Sequence, residues 1–123
     1  MGAHREIEVK RLFNAATVTG TTVYSDIIDL GTYAQGGTFS IQYYAATAAV
    51  STSMSYLLSN DGTNFVQSTE GHSIFTGVYL SSGFAADGRD IITFTPSMAR
   101  FMKLAVWLSA GATSTLTIDF AIQ

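Results

Sequence analysis

The chain has 123 residues, a formal net charge of −3, no cysteine and only 12% charged residues. That length predicts one domain, enough to bury about two thirds of its unfolded surface around one core. The missing cysteine excludes disulfides and thiolate metal sites, and six basic residues in an acidic chain argue against general nucleic-acid binding. Ordinary globular domains carry about 25% charge; here Ser, Thr, Ala and Gly stand in its place. A soluble monomer usually needs more surface charge. The composition therefore predicts that other subunits cover part of the surface, as in a symmetric homo-oligomer, with a trimer preferred. The plainer alternative is a Ser/Thr-rich β protein. No apolar segment follows the N-terminal charges as in a signal peptide, and no run reaches the ~18 apolar residues of a membrane span. Synthesis in a cytoplasm without export, and no membrane partner, are the expectations.

Taken in order, the chain opens on His4-Arg5-Glu6-Ile7-Glu8-Val9-Lys10-Arg11, which holds half of all Lys and Arg. Ile7 and Val9, with Phe13 beyond them, alternate with charges. Residues 1–20 read either as an edge strand blunted by charge or as an arm onto a neighbouring subunit. In the second case Ile7 and Val9 supply apolar contact, while Arg5, Glu6, Lys10 and Arg11 set register through opposite charges. The sandwich domain proper is then 21–123, with core strands beginning near Val23. Val23 to Leu30 reads as a strand, Gly31 to Gly37 as a loop, and Thr38 to Ala45 as a strand with Phe39, Ile41 and Tyr43 on one face. Ala45 to Val50 is too short for an independent helix and reads as a loop. Thr52 to Ser59 alternates, with Met54, Tyr56 and Leu58 inward and Ser53, Ser55 and Ser59 outward. Asn60-Asp61-Gly62-Thr63 has turn chemistry and calls for positive φ near Gly62. Asn64 to Gln67 returns as a strand, Ser68 to Ser73 is polar loop, and Ile74 to Leu80 is a further strand. Ser81 to Asp90 is a loop carrying Phe84. Ile91 to Thr95 is a short strand ended by Pro96.

The last quarter carries the strongest pattern. Met102, Leu104, Val106 and Leu108 recur every second residue, as do Leu116, Ile118, Phe120 and Ile122. Ser109 to Thr113 supplies a small-residue hairpin loop between them. Phe101, Lys103, Trp107, Thr115, Thr117 and Asp119 take the opposite face. About eight strands with turn signals between them, and no convincing helix, predict an all-β antiparallel two-sheet sandwich or jelly roll. A small closed barrel is the alternative.

Little in the sequence points to catalysis or metal binding. His4 and His72 lack the short spacing of zinc motifs. The Asp61-Gly62-Thr63-Asn64 turn is similar to part of a calcium loop, but the turn alone explains its residues. The carboxylates are scattered, so no pair is singled out for acid–base work, and no GxSxG elbow occurs. The expectation is a protein that is not an enzyme and uses neither metal nor cofactor. Tyr44, Phe84, Trp107 and Asn64 could form a carbohydrate platform; otherwise they pack in an interface or under loops.

Ser59-Asn60-Asp61-Gly62-Thr63-Asn64-Phe65, Ala99-Arg100-Phe101-Met102-Lys103-Leu104 and the Thr-rich stretch Ser114 to Asp119 resemble the small β-sandwich proteins of tailed bacteriophage virions. The first two signatures are also loosely similar to discoidin-like sandwiches. The resemblance spans Val23 to Gln123. It implies a jelly roll and a place in an assembled particle, and it carries no catalytic residue. The resulting expectation is a capsid decoration (cement) protein of a phage head, binding the major capsid protein through Arg5, Ile7, Val9, Arg11, Phe101 and Trp107. The rivals are a carbohydrate-binding module for host attachment and a neck or tail component.

Overall fold

The computed structural model describes residues 8–30, 39–45, 51–79 and 89–122. Among them lie nine strands and no helix: β1 (Glu8–Val18), β2 (Val23–Tyr24), β3 (Ile28–Asp29), β4 (Phe39–Ala45), β5 (Ser51–Ser59), β6 (Ser73–Tyr79), β7 (Arg89–Phe94), β8 (Phe101–Leu108) and β9 (Ser114–Ile122). All pairings are antiparallel. One sheet has the order β1-β9-β4-β7; the other runs β2-β8-β5-β6, with β3 also on β8. This is the expected two-sheet sandwich.

The core follows from the alternation in the sequence. Leu104 and Val106 from β8 and Ile118 and Phe120 from β9 are fully buried, and Ile41 and Met54 join them from β4 and β5. Side chains from both sheets meet in one cluster. Tyr56 of β5 stacks on Phe94 of β7 with ring centroids 5.4 Å apart. Phe39 meets Phe120 edge-on at 5.6 Å, a preferred geometry for aromatic pairs. The hairpin joining β8 to β9 turns at Gly111, whose φ is 81°, and closes with the Ala112 N–H donating to the Ser109 carbonyl at 3.0 Å.

Four expectations change. First, residues 8–18 are the edge strand of the two readings, not a free arm: β1 pairs with β9 from Glu8↔Ile122 to Val18↔Ser114. Phe13 and Val18 belong to the core, so the core begins well before Val23. The simple alternation predicted there also fails. One extra residue enters β1 between Arg11 and Phe13, and another between Phe13 and Ala16. A bulge shifts side chains to the other face. Val9, paired with Ala121, therefore points outward, while Phe13 points in.

Second, Val23 to Leu30 is not one strand. β2 and β3 each pair with β8, but the four steps from Tyr24 to Ile28 oppose three from Ala105 to Met102. Ser25 fills the mismatch: its N–H donates to the Leu104 carbonyl at 2.9 Å, and its hydroxyl accepts the buried Leu104 N–H at 2.9 Å. Third, Asn64 to Gln67 does not return as a strand; only an isolated bridge joins Leu58 to Val66. Fourth, Ser53, Ser55 and Ser59 face outward yet are buried, at 6%, 2% and 5% exposure. β5 lies between β8 and β6, and Ser53 and Ser59 pair with Trp107 and Phe101. Small hydroxyls sink between such neighbours. The Gly31–Gly37 loop, residues 81–88 of the Ser81–Asp90 loop, the stretch 46–50 after Ala45, and Arg5, Ile7 and Phe84 lie outside the described residues, while Arg89 and Asp90 open β7 in place of ending that loop.

Candidate interaction surfaces

The six side chains expected to touch a partner do not form one patch. Arg5 and Ile7 are outside the described residues. Val9 and Arg11 are on the outer face of the β1-β9-β4-β7 sheet, with Val9 61% exposed. Phe101 and Trp107 are on the outer face of the other sheet, since they alternate with the buried Met102, Leu104, Val106 and Leu108. The sandwich separates the two pairs by its full thickness.

Arg11 is committed within the chain. Its Nε donates to Asp119 Oδ1 at 2.8 Å and its Nη2 to Oδ2 at 3.1 Å. The guanidinium holds the Asp119 carboxyl below its usual range, and the carboxylate raises Arg11 in turn. With Arg11 55% exposed, such a pair contributes little to stability. It does neutralise the centre of that face. Around it the face presents Thr115, Thr117 and Ala121 from β9, Ser40, Gln42 and Tyr44 from β4, and Thr93 and the exposed Ile91 from β7. Among the described side chains of this face, Arg11 and Asp119 are the only charged ones.

Phe101 is partly covered by its own chain. A Cβ built on Gly62 would sit 3.3 Å from its ring, and the Arg100 guanidinium lies 5.3 Å from its centroid. Arg100 in turn pairs with Asp29 at 2.8 Å. Lys103 sits over Phe65 at 4.5 Å. The carbohydrate platform drawn from Tyr44 and Trp107 is divided in the same way, because the two rings occupy opposite outer faces.

The sequence reading missed a groove at the loop end. It is about 660 Å³ in volume and lies between the 60–70 loop and 97–99. Several hydrogen bonds build its walls. The Ser59 hydroxyl donates to Asp61 Oδ1 at 2.8 Å, and the same oxygen accepts the Thr63 and Asn64 N–H groups at 2.9 and 2.8 Å. Asn64 Nδ2 donates to Asp61 Oδ2 at 2.9 Å. These bonds hold the Asp61 carboxyl far below the ordinary carboxylate value. Both of its oxygens accept within the turn, three bonds on Oδ1 and one on Oδ2. Gly62, with φ at 77°, provides the left-handed residue that the turn chemistry calls for. Across the groove the Ser97 hydroxyl donates to Glu70 at 3.0 Å, and the Arg100 N–H donates to Asn60 Oδ1 at 3.0 Å. His72 Nδ1 is 3.2 Å from the Ser68 carbonyl, so the proton is on that nitrogen. The only available signal was the density of amides and hydroxyls from Ser59 to Glu70; nothing local pairs that loop with Ser97. The sequence matches no family model and no curated protein.

Proposed function

We propose that this is a non-enzymatic structural protein of an assembled viral particle, acting as a decoration protein that binds the shell of a phage head. The observation that carries this reading is the outer face of the β1-β9-β4-β7 sheet. It is a field of Thr, Ser, Ala and Gln with the exposed Val9, Tyr44 and Ile91 among them, and its single described ion pair, Arg11–Asp119, is internally neutralised. Such a face desolvates at modest cost, because its described charged side chains are paired with each other. Many weak polar contacts repeated over a shell then add up to specific attachment. Binding that favours the assembled shell stabilises it by mass action. With residues 8–18 forming an edge strand, the proposed contact lies on this sheet face and includes Val9 and Arg11, in place of a reaching arm.

The test is co-sedimentation of the purified chain with undecorated heads, followed by imaging of the decorated particles. Saturable binding on the shell, lost in Ala121→Arg while the variant remains folded, is the expected result. Density at the neck or tail would assign the protein there instead. Full binding by Ala121→Arg would remove this face from the contact.

A further inference from the structure

The groove between the 60–70 loop and 97–99 has a chemistry of its own. Its polar lining comes from Asn60, Asn64, Gln67, Ser68, Thr69 and Glu70, and its lining includes no Lys, Arg or His side chain. The Arg100 guanidinium nearby is turned away to Asp29. Nothing in the groove would hold a phosphate, sulfate or carboxylate by charge. Much of the hydrogen-bonding capacity is unspent. Asn60 uses its oxygen on the Arg100 N–H and keeps its amide donors. Asn64 uses Nδ2 on Asp61 and keeps its oxygen. Glu70 receives Ser97 on Oε1 and keeps Oε2. The Gln67 and Thr69 side chains make no hydrogen bond among the described residues. Donors and acceptors thus share one lining.

A complementary ligand must donate and accept at closely spaced points and carry no negative charge. Adjacent sugar hydroxyls do both. An extended peptide main chain does both as well, but it needs a strand edge to follow, and this wall offers only the isolated Leu58–Val66 bridge. A cationic side chain would find Asp61 already accepting four hydrogen bonds from its own turn, with room for one more on Oδ2, and Glu70 beside it accepting from Ser97. Met98 and Val66, 88% and 61% exposed, add apolar surface at the rim for the C–H face of a ring. We propose that this groove binds a neutral saccharide, with Glu70 and Asn64 as acceptors and Asn60 and Gln67 as donors. The site lies apart from the sheet face assigned to particle contact, and the proposal stands or falls independently of that role.

The test uses the isotope-labelled full chain, titrated with neutral oligosaccharides of glucose, galactose and N-acetylglucosamine and followed by amide chemical shifts. Saturable shifts confined to 60–70 and 97–99 are expected, with a Kd on the order of millimolar, as suits a shallow site. Glu70→Gln keeps the shape and removes a charged acceptor, so affinity should fall about tenfold. Gln67→Ala should weaken binding comparably, while Tyr44→Ala on the sheet face should leave it unchanged. Absence of shifts with every sugar would overturn the proposal, as would wild-type affinity in Glu70→Gln and Gln67→Ala. Shifts on the sheet faces instead, or in this groove only with a lysine-bearing peptide, would overturn it too.

Discussion

Ala15 stands in the left-handed region with φ at 50°, inside the second β1 bulge. Its N–H donates to the Thr117 hydroxyl at 3.0 Å, which helps hold a conformation that costs an L-residue about 1–2 kcal/mol. The side chain is exposed, so no packing is lost on removing it. Ala15→Gly should raise stability by roughly 0.5–1 kcal/mol after the entropy of glycine is allowed for. Ala15→Val should lower it. Urea denaturation of the pair checks this, and a destabilised Ala15→Gly would mean that the bulge does not form. Asp61 gives a pH signature. Its folded-state carboxyl is depressed below the ordinary 3.8, chiefly by hydrogen bonds from the Asn64 and Thr63 N–H groups. Its contribution is therefore complete above about pH 5 and lost as pH falls through the folded-state value. The stability gap between the wild type and Asp61→Asn should be widest near neutrality and narrow as acid is added. A gap constant from pH 7 to pH 2 would contradict the hydrogen-bonded carboxylate.

Among the elements, β1 shows how an edge is defended. Glu8 and Lys10 share the inward parity of Ile122 and Phe120 across the pair, so charges point inward at an open edge. Two bulges interrupt the ladder beyond them. Both devices discourage another chain from adding a strand. Phe13, 7% exposed, then anchors the strand in the core. Phe13→Ala should cost about 3–5 kcal/mol through lost burial and a residual cavity, whereas Val9→Ala at the exposed position should fall within about 0.5 kcal/mol. Equal denaturation midpoints for the two would return residues 8–18 to the status of a loose arm. β2 and β3 illustrate a different repair, in which a serine hydroxyl takes the place of a carbonyl that the register leaves out of reach.

For the molecule as a whole, stability rests on the layer where the two sheets meet. Leu104→Ala and Phe120→Ala should each lose about 2–5 kcal/mol. Lys103→Ala should lose at most about 1 kcal/mol, the scale of its cation–π contact with Phe65 at 4.5 Å. Three similar thermal midpoints would mean that the inward face has been misassigned. The low charge also predicts self-association in solution. Sedimentation at micromolar concentration should find a species heavier than the 13.1 kDa chain. A wild-type monomer would limit subunit coverage to the particle itself.

What the sequence determined alone was the all-β class and the inward faces of β4, β5, β8 and β9. Period-two alternation in Phe101–Leu108 and Ser114–Ile122 depends only on neighbours along one strand. The Gly62 turn was legible for the same reason, because its Asn, Asp and Gly act within a few residues. Tertiary structure decided the rest. The bulges that turn Val9 out and Phe13 in arise from pairing with a strand about a hundred residues away. The burial of Ser53 and Ser55 follows from neighbours supplied by β8. The separation of Val9 and Arg11 from Phe101 and Trp107, and the meeting of Glu70 with Ser97, depend on which sheet each strand joins. That choice is made by long-range packing, and local residue chemistry does not encode it.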